Sequence, residues 1–279
     1  MYSQKQLKKY SEFFGWDFAR KPEPFKGDKS KNQDLMLADV HYPFHHKALL
    51  EQVIEENNKA ENLWIAGDWF DFYSKSHYRK QISIDFGTEF REGFSGLWKL
   101  ASKFNKIYLM MSNHDMRFTK WIYDNAPADM LAFTDHTCPE RLLNTIPNLT
   151  VVKQKTLSGR EIEYIYQHKN MVITHVEKSN KDVGKTVQEV LKEMFRWDAQ
   201  LALKSYNMVI QAHNHQSARV KFGNKFLFQI PCLIDINAPA FNYVFNGKLQ
   251  GNPPALGYIK LAKFDNGSFD ANNSIIVDF

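Results

Sequence analysis

From residue 34 onward, short unbroken apolar runs alternate with longer stretches in which apolar residues recur at helical spacing. The runs are Leu35-Met36-Leu37-Ala38, Leu63-Trp64-Ile65-Ala66, Ile107 to Met111, Met171-Val172-Ile173 and Met208-Val209-Ile210. Apolar residues at consecutive positions over so few residues predict strands covered on both faces. Between the runs, Leu49, Leu50, Val53 and Ile54, then Phe90, Phe94, Leu97, Ala101 and Phe104, each fall on one side of a helical period and predict crossover helices. This alternation predicts an α/β fold with a largely parallel sheet, whose strands share one carboxyl edge.

The flanks are less regular. Leu7, Tyr10 and Phe14 predict a docked helix over Gln4 to Phe14, and the stretch Arg20 to Gln33, with Pro22, Pro24 and Gly27, predicts an irregular lead-in. The chain therefore divides into an N-terminal helix and lead-in over 1–33 and one domain over 34–279. Between Met116 and His175, the stretches Arg117 to Asn125 and Pro139 to Asn144 read as helical or turn-like, and Leu149 to Tyr166 as a hairpin around Ser158-Gly159. After His215, the β-forming runs Lys225 to Ile230, Gly257 to Phe264 and Ser274 to Phe279 are expected to be strands of a second sheet.

Composition narrows this picture modestly. A chain that is 43% hydrophobic and 24% charged has the material for a sizeable core and is not disordered on a large scale. A formal charge of +5 suits an anionic substrate, and equally an ordinary protein. No apolar run approaches the roughly 20 residues that span a bilayer, the first residues lack the apolar core of a signal peptide, and only two cysteines occur. A cytoplasmic protein with no membrane partner is the expectation.

The chemistry lies where the runs end. In order come Asp39-Val-His41, Gly67-Asp68-Trp-Phe-Asp71, Ser112-Asn113-His114-Asp115, His175 and His213-Asn-His215. Each block alone reads as a turn or a hydrogen-bonded histidine. Their shared placement at strand ends describes two metal ions in one site. Two divalent ions about 3.5 to 4 Å apart need a bridging carboxylate, terminal imidazoles and carboxylates, and an open face for a phosphate. Asp68 is the candidate bridge, and a water acidified between the ions is the candidate nucleophile. His114 would protonate the departing oxygen, Asp71 would hold its other ring nitrogen, and Asn113 would add a neutral ligand.

These blocks resemble those of the calcineurin-like metallophosphoesterase superfamily, with the pattern D-x-H, G-D-x-x-D, G-N-H-D/E, H and G-H-x-H, over Asp34 to His215. The resemblance implies a sandwich of two mixed β-sheets flanked by helices. It implies one ion among Asp39, His41, Asp68 and His215, and the other among Asp68, Asn113, His175 and His213. Ser112 and Ala212 stand where the family has glycine, both small enough to keep every ligand side chain. The stretches around Asp68 and His114 are similar to phosphoesterases of bacteria and their phages.

The expected activity is hydrolysis of phosphoester bonds, leaning toward diesters or nucleic acid; a phosphomonoesterase and a non-catalytic metal-binding scaffold are the alternatives. Manganese heads the expected metals, and nickel, iron or zinc also suit an O/N ligand set. Arg117 is the candidate substrate-phosphate contact, with a helix-surface arginine as the alternative, and Trp69, Tyr73, Tyr78 and Trp121 are candidates for stacking on bases, with core packing as the alternative for several. Lys178, Lys181 and Lys185 either face an extended anion or are a solvated helix start. Gly184-Lys185-Thr186 is not a P-loop, because Ser179 stands where its first glycine is required. His45, His46, His77, His136 and His168 carry no assigned role.

Overall fold

In the computed structural model each apolar run becomes a strand that stops just before its block of polar residues. The structure describes residues 2–25, 27–77, 80–127, 129–130, 138–178, 180, 182–238, 240–241 and 253–279; Tyr78, His136, Ser179 and Lys181 lie outside them. In chain order the elements are α1 (Gln4–Phe14), β1 (Gln33–Leu37), α2 (Lys47–Glu56), β2 (Asn62–Ile65), a 3-10 turn (Tyr73–Lys75), α3 (Phe86–Ala101), β3 (Lys106–Met110), α4 (Arg117–Asn125), α5 (Cys138–Leu143) and β4 (Leu149–Val152). Then follow β5 (Gln154–Lys155), β6 (Glu161–Ile162), β7 (Ile165–His168), β8 (Met171–Thr174), α6 (Lys185–Trp197), β9 (Met208–Gln211), β10 (Ala218–Phe222), β11 (Lys225–Gln229), β12 (Gly257–Lys263) and β13 (Phe269–Asp278).

Two mixed sheets form the frame. The first has the order β13-β12-β1-β2-β3-β4 and the second β10-β11-β9-β8-β7. In the first, β1 to β4 run parallel and β12 joins β1 antiparallel, Gln33 opposite Ala262. In the second, β8, β9 and β11 run parallel, with β7 and β10 antiparallel at the edges.

The two-residue period of the strands explains why the runs are apolar throughout. Met36, Trp64 and Met110 point between the sheets toward Met171, Ile173, Met208 and Ile210, whereas Leu35, Leu37, Leu63, Ile65, Ile107 and Leu109 point outward under α2 and α3. Val172, Val209 and Leu227 on the far face of the second sheet pack under Val187, Val190 and Leu191 of α6. The result is a helix–sheet–sheet–helix stack. The N-terminal helix starts with a Ser3/Gln6 capping box and buries Phe14, with Phe18 following, against Phe90 and Phe94 of α3.

Two sequence expectations need correction. Of the three late runs, only β11 joins the second sheet; β12 and β13 extend the first, because Tyr258, Ile259 and Leu261 of β12 match the buried faces that β1 leaves at its free edge. The hairpin around Ser158-Gly159 exists only as the two-residue strands β5 and β6; the outer residues part, β4 pairing with β3 and β7 with β8. The strand β10, with no fully buried residue, has no counterpart in the sequence reading.

Candidate metal centre

Loops from both sheets meet at one edge of the sandwich. The first sheet supplies Asp39 and His41 after β1, Gly67 to Asp71 after β2, and Ser112 to Asp115 after β3. The second supplies His175 after β8 and His213 and His215 after β9. Five of these residues, Asp39, His41, Asp68, His213 and His215, have φ between 49° and 78°. Non-glycine residues take this left-handed conformation at a cost, and clusters of it mark backbone bent to aim side chains.

Asp39, His41 and His215 bring potential ligand atoms within 4.8 Å of one another, and so do Asp68, His175 and His213. The two sets touch. His175 Nε2 lies 3.2 Å from Asp68 Oδ2 and 3.8 Å from Asp39 Oδ1, and His41 Nε2 lies 3.6 Å from Asp68 Oδ2. His215 Nε2 is 3.3 Å from Asp39 Oδ1. Asp39 and Asp68 are thus shared neighbours of imidazoles from both sets.

The outer nitrogen of each buried ring is tied down. His175 Nδ1 donates to the Ala66 carbonyl at 2.7 Å and His41 Nδ1 to Asp71 Oδ2 at 2.9 Å, which leaves each Nε2 turned inward as an acceptor. His175 Nε2, His41 Nε2, Asp39 Oδ1 and Asn113 Oδ1 are all buried without a hydrogen-bond partner. Buried polar atoms are otherwise nearly always satisfied, so four acceptors left bare in one site fit a cation. The charge balance agrees: burial opposes a charge on His175, yet Asp68 and Asp39 outweigh it and raise its pKa to about 10. A site that favours a proton so strongly favours a metal cation for the same reason. His213 goes the other way, lowered to about 4 by burial and by His175, and stays neutral as a ligand must.

A third group, His41, Asp71 and His114, also brings potential ligand atoms within 4.8 Å of one another. Asp71 Oδ2 lies 3.2 Å from His114 Nδ1. Burial would raise the Asp71 pKa, but His114 and His41 hold it well below the usual carboxylate range. Arg117, at the start of α4, bonds Asp71 Oδ1 at 2.8 Å and the Asp71 carbonyl at 2.9 Å through Nη1, while Nη2 lies 3.1 Å from His114 Nε2. The sequence reading placed Arg117 on a phosphate or on the helix surface; in the structure its guanidinium clamps the His114–Asp71 pair.

Two contributors carried no assigned role. Asp115 accepts from the main-chain N–H groups of Asp68 at 2.9 Å, Phe70 at 2.8 Å and Ser112 at 3.0 Å, and so ties the second and third loops together. Burial and then Asp68 raise its pKa to about 7 against these donors. Ser112 bonds the Asp68 carboxylate through its hydroxyl, which also accepts the Asp68 N–H at 2.7 Å. With the His114 N–H at 3.1 Å on the same Oδ1, Asp68 is left with Oδ2 facing the imidazoles. The signal for Ser112 was its departure from glycine; Asp115 was visible only as a neighbour of His114.

Of the stacking candidates, Trp69 and Tyr73 are buried, with Trp69 Nε1 donating to the Gly93 carbonyl, and cannot meet a base. Trp121 is 39% exposed. Lys178 pairs with Glu193 and Lys185 with Asp182, as a solvated helix start would. His46 caps α2, His45 stacks on Tyr42, and His168 packs beside Trp64. Among the described residues no helix is long and apolar enough to cross a membrane.

No family profile and no curated protein matches the chain. Solved structures do. A novel archaeal phosphodiesterase aligns at 13% identity over 88% of this chain and 99% of its own, with a TM-score of 0.41. A metallophosphoesterase from Sphaerobacter thermophilus aligns at 10% identity over 88% of each chain, also at 0.41. Wild-type Vps29 complexed with zinc from Entamoeba histolytica aligns at 10% identity over 88% and 98%, again at 0.41. The structural neighbours include metallophosphoesterases and Vps29. The chemistry of the site is carried by its own side chains.

Proposed function

We propose that this protein is a metal-dependent phosphoesterase. The observation that carries the reading is the set of bare, buried acceptors on Asp39, His41, Asn113 and His175, at the same edge as a His114–Asp71 pair. Asp39, His41, Asp68 and His215 would hold one divalent ion, and Asp68, Asn113, His175 and His213 a second, with manganese first and nickel, iron or zinc compatible with the donors. When bound, the ions supply positive charge for phosphoryl oxygens and lower the pKa of water.

The chain's own residues do the rest. Asp71 fixes the His114 ring by Nδ1, so that Nε2, which accepts from Arg117 Nη2 here, is the edge that would carry a proton to the departing ester oxygen once Arg117 turns to the phosphate. Arg117 holds Asp71 and lends its charge to the phosphate side of the same edge. The substrate class favoured is the phosphodiester or nucleic acid, which the positive net charge and the exposed Trp121 suit.

The test is hydrolysis of bis-p-nitrophenyl phosphate and p-nitrophenyl phosphate side by side by manganese-loaded protein, with His114→Ala as control. Faster turnover of the diester supports the full reading, and faster turnover of the monoester makes it a phosphatase. Unchanged hydrolysis of an alkyl diester such as TpT in His114→Ala would sink the assignment, since p-nitrophenolate leaves without a proton, and no turnover of any ester together with retained metal would favour a binding scaffold.

A further inference from the structure

The side of the site that receives the departing group is marked by α4. Arg117 Nη2 touches His114 Nε2, the ring edge assigned to proton transfer, and Arg117 is the first residue of that helix. Residues four apart on a helix lie on one face, about 6 Å from each other. Trp121 is therefore the next side chain along the face that begins at the proton donor. It is 39% exposed, and Lys75 places its ammonium 4.1 Å from the ring centroid. Lys75 belongs to the 3-10 turn four residues after Asp71, so Trp121 is linked to the site from two directions.

An exposed indole beside a lysine, one helical turn from a phosphoester-cleaving centre, has the chemistry of a base platform: a flat apolar face for stacking and a cation for the neighbouring phosphate. Phe118, on the same helix, already stacks on Phe86 inside the structure, so Trp121 is not needed to anchor α4. We infer that the departing group of the substrate is a nucleoside whose base stacks on Trp121 while Lys75 meets the adjacent phosphate. This rests on the phosphoesterase reading above. In the step itself the phosphorus–oxygen bond to the sugar breaks, water supplies the new oxygen on phosphorus, and His114 gives its proton to the sugar oxygen.

The experiment compares a thymidine hexamer with an abasic hexamer of the same sugar-phosphate backbone, using manganese-loaded wild type, Trp121→Ala and Trp121→Phe. In parallel, fluorescence anisotropy reads binding of the labelled thymidine hexamer in EDTA. The expected result is a preference for the thymidine hexamer in kcat/KM of about 10-fold in the wild type. That ratio should fall toward one in Trp121→Ala and be largely kept in Trp121→Phe, with a matching loss of affinity by anisotropy. Equal cleavage of the two hexamers by the wild type, or a ratio left intact by Trp121→Ala, overturns the inference. If that happens while bis-p-nitrophenyl phosphate is still hydrolysed with dependence on bound metal, only the nucleoside assignment has failed; if no ester is turned over with that dependence, the phosphoesterase reading has failed as well. The dinucleotide TpT separates sources: turnover equal to the hexamer indicates a short nucleoside ester, and lower turnover a polymer.

Discussion

Asp115 Oδ2 accepts the main-chain N–H of Asp68 at 2.9 Å. One carboxylate thereby fixes the loop that presents the candidate bridging ligand, without facing the metal position itself. Replacing it with alanine leaves the buried N–H groups of Phe70 and Ser112 without an acceptor and that of Asp68 with the Ser112 hydroxyl alone. The expected loss is roughly 3 to 5 kcal/mol of stability for Asp115→Ala, and about half of that for Asp115→Asn, which keeps one acceptor oxygen. Urea unfolding of chelator-treated protein checks this, because it separates the loop from any effect through a bound ion. Equal stability of the alanine variant would remove Asp115 from this role.

His114 and Asp71 should part company when metal content and turnover are measured together. His114 bonds Asp71 but is not in either proposed ligand set, so His114→Ala is expected to keep its metal and lose about 100-fold to 10,000-fold in kcat. Asp71 also holds Nδ1 of His41 at 2.9 Å, so Asp71→Asn is expected to lose turnover and also to weaken metal binding about 10-fold to 100-fold. Metal analysis after equilibrium dialysis decides the matter; full metal retention in Asp71→Asn would mean that His41 needs no such support.

Gly67 has φ of 96°, and a Cβ built on it would sit 2.4 Å from His175 Nδ1 and 2.6 Å from Ser112 Oγ. Neither neighbour can yield cheaply, since the first donates to Ala66 and the second braces Asp68. Gly67→Ala is expected to cost roughly 2 to 5 kcal/mol and to abolish tight metal binding by displacing His175. Thermal unfolding with and without manganese reads both effects. A variant with wild-type Tm and metal response would contradict the geometry.

Glu89 is fully buried on α3, with Oε2 accepting from the Ser74 N–H at 2.9 Å and Oε1 without a partner. Burial raises its pKa from 4.5 to about 7. Between those values the folded protein keeps a proton that the unfolded chain has released. The stabilisation is therefore complete below pH 4.5 and is lost as pH rises through 7, a decline on the order of 3 kcal/mol. Glu89→Gln should flatten that part of the stability profile, so that urea midpoints at pH 5 and pH 8 differ less than in the wild type. Parallel profiles for the two proteins would show that Glu89 is not the group responsible.

Much of the site was legible because its ligands follow strands. A run such as Leu63 to Ala66 names its own secondary structure, and Asp68, two residues beyond it, inherits a position at the carboxyl edge. Sheet membership was less legible. The faces of β12 are apolar whether it lies beside β1 or in the second sheet, and only the pairing of Gln33 with Ala262 and its neighbours decides between them. Asp115 and Ser112 were harder still, since a side chain that serves main-chain N–H groups of a distant loop leaves no periodic trace. Trp69, Tyr73 and Trp121 look alike in sequence, but only the fold separates the buried rings from the exposed one.

The division of ligands between the two sheets has a further consequence. Asp39, His41, Asp68 and Asn113 follow strands of the first sheet, and His175, His213 and His215 follow strands of the second. A chain being synthesised has made all its carboxylate ligands by residue 68 but has only one of its four imidazole ligands until residue 175 and the last only at residue 215. With the proposed ligand set, tight metal capture would wait for the docking of the sheets, and an ion held there would act as a rivet across their seam.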